Sequence, residues 1–541
     1  MAGAPEPRSD HRRCASPTAR LRVDGCVSGC PSDGGRSFRW GPCPTPFPPQ
    51  LTIDCGFLTV PESRSEGGAR QDVRRSVVLP VAIIRSADRS HAGDPVVFIE
   101  GGPSFNALES STASFLASQP FAAHRDVVFY NPRGVGFATP RLGCPEFDKV
   151  RREAFPIDPL YMDRSIPMFL AADAACRQRL ADAGIDLRAY DSAADAADLN
   201  DLRLALGYRQ WNVFALSAGG VVALTAMRLY PSGIRSVALD SPVGNQWQQR
   251  GPDQVRAENR MLEKVFAGCA ADAACDHAYP NLRARFYSEV YILRRSPVVL
   301  NIPIAGGATF PITFDGDLVL NMGYCLDPIC AAGSPRVLDE AARGDIASYA
   351  ADVFGGPLTP APPLDPVYSE GKSAVFHCRD YITFEPDSEL LSAARELPEW
   401  RDTLLSLRFS YVPTQTKQAC ERWHVGRASE AQHRPVASPI PTLPLTGVWD
   451  GVIGPPSQDL AVSHLANVVK FEFPGIGHGT TFSSPCPSLI LGEFVDAPAV
   501  KPDSSCIASM PDVDFTPSYA AAAHGPGERL RLIQDPFETF H

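Results

Sequence analysis

"WNVFALSAGG", residues 211–220, is an apolar run that stops at Ser217 and opens through Ala218, Gly219 and Gly220 into a helix-like stretch. It departs by one residue from the strand–turn–helix pattern G-x-S-x-G, because Ala215 stands where the first glycine belongs. Such a turn is tight and strained, so the positions two before and two after the serine must be small. Gly219 meets that demand. Ala215 adds only one methyl group at the end of a strand, where no positive φ is required. Two readings of Ser217 follow: a nucleophile held on a sharp turn, or a serine that caps the helix beginning near Ala218.

The surroundings place this stretch in an alternating fold. Short β-branched runs occupy 51–60, 76–84, 95–99, 126–130 and 211–215, and the last three are continuously apolar, as strands buried on both faces of a parallel sheet are. Between them lie helical patterns, clearest in "SAADAADLNDLRLALG" (192–207). There Ser192 and Asp195 read as the cap, Leu199, Leu202 and Leu206 share a face, and Gly207 ends the helix. Alternation of this kind implies right-handed β-α-β units and a doubly wound, mostly parallel sheet with helices on both sides.

After "VALDSP" (237–242) the alternation fades. Residues 245–435 read as an inserted, mainly helical cap domain that includes a proline-rich connector at 354–366. Strand signals return at 442–448 and 468–473, so 41–244 and 436–541 are expected to form the two parts of the core, the second carrying a tail. Residues 1–40 lack periodicity and read as a disordered arm or a misassigned start, with the fold beginning near Trp40.

A serine hydroxyl is a weak nucleophile at neutral pH and needs an adjacent base and donors for the oxyanion. "PVVFIEGGPS" (95–104) ends a predicted strand in a Gly-Gly-Pro loop, which makes the backbone N–H groups of Gly102 and Ala218 the expected oxyanion donors. "PLTGVWDGVIGP" puts Asp450 just past a strand, and "FEFPGIGHGTTF" puts His478 in a glycine-rich turn past the next. Both are loops at strand ends, where the carboxyl edge of such a sheet gathers its functional groups. His464, by contrast, lies in a helix-like segment and reads as a surface residue.

Composition narrows the classes. The chain has 541 residues, 44% of them apolar, and a formal charge of -11. That acidity, without clustered Lys or Arg, argues against a nucleic-acid or anionic-membrane partner. No run approaches the roughly 18 apolar residues of a membrane span. The first residues show no apolar signal region, so either the chain is cytosolic or its true start is absent. The fifteen cysteines favour the second choice, because Cys43/Cys55, Cys269/Cys275, Cys325/Cys330 and Cys486/Cys506 are spaced for local disulfides. No paired Cys/His spacing suits zinc, and no cofactor or metal is expected. Cys14, Cys26 and Cys30 are unassigned.

Taken in order, "CGFLTVPESR", "EGGPS", "RDVVFYNPRGVGFATPRLGCPE", "DLNDLRLALGYRQWNVFALSAGG", "YPSGIRSVALDSP", "TLPLTGVWDGVIGP" and "GIGHG" resemble the α/β-hydrolases of the prolyl aminopeptidase and secreted tripeptidyl aminopeptidase group, S33-type serine peptidases. The resemblance runs from about Trp40 to about Phe515. It implies the α/β-hydrolase fold, with Ser217 as nucleophile, His478 as general base and acid, and Asp450 orienting His478. It further implies disulfides Cys43–Cys55, Cys144–Cys176, Cys269–Cys275, Cys378–Cys420 and Cys486–Cys506, with Cys325–Cys330 the weakest, and a secreted or periplasmic protein. The expected activity is release of short peptides or residues from a free N-terminus. An esterase or amidase on small molecules is the alternative, followed by a non-catalytic binding protein on the same fold. The oligomeric state is open.

Two departures from the group matter. Ser104 replaces the last glycine of Gly-Gly-Pro-Gly, and Ala218 stands where relatives carry tyrosine. The second keeps the donor N–H but changes the pocket floor. Glu100, beside the oxyanion loop, either points away in a structural role or holds a substrate ammonium, and Arg133 of "NPRG" is expected to be structural.

Overall fold

The computed structural model describes residues 36–64, 75–88, 94–162, 164–247, 252–322, 331–363, 366–406 and 416–517. Nine strands form one sheet: β1 (Ser37–Trp40), β2 (Ile53–Pro61), β3 (Ser76–Ile84), β4 (Val96–Ile99), β5 (Val127–Tyr130), β6 (Trp211–Leu216), β7 (Ile234–Asp240), β10 (Thr442–Gly447) and β11 (Phe471–Phe473). Their order is β1-β2-β3-β5-β4-β6-β7-β10-β11. The first four pair antiparallel, and from β5 to β11 every neighbour is parallel. Each strand read from the sequence is present.

The parallel strands are buried on both faces because side chains alternate across a pleated strand. In β6, Trp211, Val213 and Ala215 enter one apolar cluster with the helices Ser192–Ala205 and Gly219–Leu229. Phe214 and Leu216 enter another, with Phe98, Phe129 and the helix Pro485–Asp496. A continuous apolar run is therefore what this position in the sheet requires.

Three local readings are corrected by the structure. Residues 37–40, assigned to the N-terminal arm, form β1 and pair with Gly56–Thr59. The helix Ser192–Ala205 is capped by Asp191, whose side chain accepts from the Ala194 N–H. Ser192 instead donates its hydroxyl to Asp380, and Asp195 is buried against Lys372. The 245–435 stretch, expected to be mainly helical, also contains a hairpin, β8 (Val298–Pro303) and β9 (Thr309–Phe314).

That stretch also divides in its packing. Buried apolar residues between Val255 and Leu358 and between Ala393 and Leu404 form a second cluster, centred on the helices Pro252–Ala271 and Leu282–Arg295 and joined by Phe155, Leu160, Met162, Trp449 and Phe515. The helices Glu370–Asp380 and Lys417–Trp423, joined through Cys378 and Cys420, pack into the first sheet cluster beside Cys144 and Cys176. The buried ion pair Lys372–Asp195, at 2.7 Å, fixes the same seam.

All five pairs implied by the resemblance, Cys43–Cys55, Cys144–Cys176, Cys269–Cys275, Cys378–Cys420 and Cys486–Cys506, lie at disulfide bonding distance. Cys14, Cys26, Cys30, Cys325 and Cys330 fall outside the described residues. Among the described residues no helix is long and apolar enough to cross a membrane.

Candidate active site

Ser217 sits directly after β6 with φ of 50°, a left-handed conformation that a residue with a Cβ adopts at a cost of about 1–3 kcal/mol. Three backbone bonds hold it there. Its N–H donates to the Asp240 carbonyl at 2.8 Å, and its carbonyl accepts from Gly220 at 2.9 Å and Val243 at 3.0 Å. The helix Gly219–Leu229 has Ala218 at its N-cap and no side-chain capping bond, so the capping role is not the one Ser217 plays. A Cβ on Gly219 would lie 2.7 Å from the carbonyl oxygens of both Ile99 and Glu100, which explains the second small residue of the pattern. Ala215 is extended and wholly buried in register with Leu239, and its methyl group is accommodated.

The Gly-Gly-Pro loop leaves β4 beside this turn. A Cβ on Gly101 would come 3.2 Å from the Ser217 Cβ, so the loop backbone lies against the serine. Gly102 turns the chain at φ of 37°. Among the described residues the N–H groups of Gly102 and Ala218 donate to no acceptor.

Asp450 and His478 meet across the ends of β10 and β11. His478 Nδ1 lies 2.8 Å from Asp450 Oδ2, while Asp450 Oδ1 accepts the N–H groups of Val452 and Ile453, each at 2.9 Å. Gln458 Nε2 donates to Oδ2 at 2.6 Å. Asp450 is 1% exposed. Burial pushes its carboxyl up, but His478 and the two backbone donors outweigh that and hold it below the ordinary aspartate value. The histidine turn approaches β10 closely at Gly447, where a Cβ would stand 1.9 Å from the Gly477 carbonyl oxygen. From the other stretch, Lys264 donates to the Val448 carbonyl at 3.2 Å and lies 4.2 Å from the Trp449 ring centroid, packing the helix Pro252–Ala271 on the acid loop. His464 is exposed, as expected.

Asp240 and Ser241 also belong to this candidate site, and the sequence reading passed over them as the end of a strand. The fully buried Asp240 carboxylate accepts the N–H groups of Thr480 at 2.7 Å and Thr481 at 2.9 Å and the Thr481 hydroxyl at 2.7 Å. Ser241 Oγ accepts from Gly479 at 2.9 Å. The end of β7 thus grips both the residues after His478 and, through the Asp240 carbonyl, Ser217. The available signal was an acid at the carboxyl end of the strand neighbouring the serine's own. Asp240→Asn keeps one acceptor and sets an amide N–H₂ against N–H donors. Its expected result is about 10–100-fold lower kcat with KM little changed, and about 2–4 kcal/mol lower stability by chemical denaturation.

Glu100 turns its carboxyl back toward the oxyanion loop, accepting from the Gly101 N–H at 2.8 Å. Burial raises its pKa to about 7; the Gly101 bond opposes the rise and the nearby Glu109 adds to it. Arg133 is fully buried and structural, as expected. It grips Asp198 through two nitrogens at 2.7 Å and donates to the carbonyls of Glu62, Ala189 and Pro61.

A sheet of this order, with a serine turn after β6 and an Asp–His pair after β10 and β11, defines an α/β-hydrolase. The family model of the alpha/beta hydrolase fold matches residues 94–288. The chain is similar to a tripeptidyl aminopeptidase of Streptomyces coelicolor, 28% identical over 250 residues, 43% of this chain and 44% of its own. The serine protease Hip1 of Mycobacterium tuberculosis is 25% identical over 264 residues, 44% of this chain and 46% of its own. A proline iminopeptidase structure from Mycobacterium smegmatis aligns at a TM-score of 0.33 and 14% identity, over 78% of this chain and 95% of that one. The chain spans about half the length of the curated relatives it matches. The chain has the alpha/beta hydrolase fold.

Proposed function

We propose that this hydrolase works through a Ser217–His478–Asp450 triad and an acyl-enzyme, and that its substrates are peptides cleaved from a free N-terminus. The single observation that carries the reading is the 2.8 Å bond between His478 and a buried, four-donor Asp450, at the same sheet edge as the strained Ser217.

The steps follow from these groups. His478 Nε2 takes the Ser217 hydroxyl proton as Oγ bonds to the scissile carbonyl carbon. Asp450, kept ionised by its donors, holds Nδ1 protonated and stabilises the imidazolium. The carbonyl oxygen, now anionic, falls to the Gly102 and Ala218 N–H groups. His478 then gives its proton to the departing amine, leaving the acyl group on Ser217. Water, deprotonated by the same imidazole, releases the acyl group and restores the serine. The five cysteine pairs suit an oxidising compartment, which supports export. The peptide substrate is supported by the tripeptidyl aminopeptidase relatives.

A fluorophosphonate probe tests the mechanism. The expected result is one covalent adduct, mapped by mass spectrometry to the peptide containing Ser217. A folded protein that takes up no probe would remove the enzymatic reading.

A further inference from the structure

One face of the helix Pro252–Ala271 brackets the loop that carries Asp450. Before Asp450, Lys264 donates to the Val448 carbonyl at 3.2 Å and lies over the Trp449 ring. After it, Arg260, one turn earlier in the helix, meets Gly454: a Cβ on Gly454 would stand 2.4 Å from Arg260 Nη1 and 3.1 Å from the Ala257 Cβ. Ala257, Arg260 and Lys264 are spaced three and four apart, as one helical face requires. Two cations thus flank Asp450 along its own loop.

Arg260 is half-buried, and its Nη1, shielded from solvent, has no hydrogen-bond partner among the described residues. The acids of its own helix are turned to other groups: Asp253 to Arg256, Glu258 to Gln254, and Glu263 to Arg283 and Tyr287. The placement is costly twice over. Burial disfavours an unpaired guanidinium, and Gly454 is the N-cap of the helix Pro455–Val462, whose dipole repels a cation. The carboxylate whose charge offsets the burial is Asp450. The other charged groups that the described residues set around the Asp450–His478 pair are acids: Asp240, bonded to Thr480 and Thr481, and Asp512, bonded to Trp449. Arg260 and Lys264 are the cations set against them.

We infer that Arg260 is a positioning residue for the Asp450–His478 pair: from the helix Pro252–Ala271 it sets a fixed positive charge beside the acid loop, which disfavours the imidazolium form of His478 and keeps the base free at lower pH. The inference rests on the triad reading above and deepens it. His478 must be neutral to take the Ser217 proton, and a cation beside Asp450 weakens the hold of that carboxylate on the imidazolium.

The test follows the rate of fluorophosphonate uptake at Ser217 against pH on the whole protein, in wild type, Arg260→Met and Arg260→Lys. The acid limb of that profile reads the protonation of His478 and needs no substrate. In Arg260→Met the midpoint of the limb should move up by about half a pH unit or more, so that uptake is about threefold or more slower on the limb and unchanged on the high-pH plateau. Arg260→Lys keeps the charge and should keep the wild-type midpoint. An unmoved midpoint in Arg260→Met would overturn the assignment. So would an equal movement in Arg260→Lys, which would make packing rather than charge the cause. Should Arg260→Met not fold by circular dichroism, Arg260→Gln reads the same midpoint, and failure of both to fold would overturn the assignment by making Arg260 a residue of the fold alone. Folded wild type that takes up no probe at any pH would instead overturn the triad reading itself.

Discussion

Replacing Ser217 with alanine is expected to lower kcat/KM by about 10⁵–10⁶-fold while the protein stays folded. The size follows from what the alanine enzyme lacks. With no Oγ there is no acyl-enzyme, and only positioning and the oxyanion N–H groups remain, which accelerate hydrolysis by about 10³–10⁴-fold over water. The fold should persist because the turn is held by backbone bonds to Asp240, Gly220 and Val243 that alanine keeps. Alanine inherits the same positive φ, so circular dichroism and melting should change little. A drop of less than about 100-fold, measured on a substrate the wild type turns over, would assign the nucleophile elsewhere.

Asp450→Asn carries the second largest effect, about 10⁴-fold in kcat. Asparagine can keep the contact to His478 while presenting N–H where a carboxylate accepted. The imidazole is then driven to the tautomer whose Nε2 carries the proton and cannot accept one from Ser217. Asp450 accepts four hydrogen bonds, from His478, Gln458, Val452 and Ile453. An amide satisfies them only in part, so a stability loss of about 1–3 kcal/mol should accompany the rate loss. The diagnostic readout is the pH profile of kcat: activity should recover partly at high pH, where hydroxide replaces the lost base. Equal wild-type and variant rates near neutrality would exclude Asp450 from the mechanism.

Much of the site was legible because its parts depend on local chain chemistry. The serine turn needs Gly219, since a Cβ there meets two carbonyls, and that demand is written into four consecutive residues. The glycine loop after β4 and the Asp and His after β10 and β11 were visible as polar groups at the ends of apolar runs. The five cysteine pairs were legible in two ways: three through short spacing, while Cys144–Cys176 and Cys378–Cys420 rested on resemblance alone.

Other features had no local signal. Ser192 looks like a cap by position, yet Asp191 takes that role because Asp380, nearly two hundred residues on, binds Ser192 through both its N–H and its hydroxyl. The hairpin of β8 and β9 alternates in exposure residue by residue, but its strands are only six residues long and largely exposed, so they give a short signal among helical neighbours.

The sequence by itself determined the alternation that makes the doubly wound sheet and the order of serine, acid and histidine along it, because periodicity and turn chemistry act within a few residues of the chain. Only the tertiary structure decided that Asp240 anchors the histidine turn, that Arg133 is spent on Asp198, and that Glu100 and Asp195 share one small cavity with Ala218. Those roles depend on burial and on partners distant in sequence, and a carboxylate has no function until the fold settles which charges surround it.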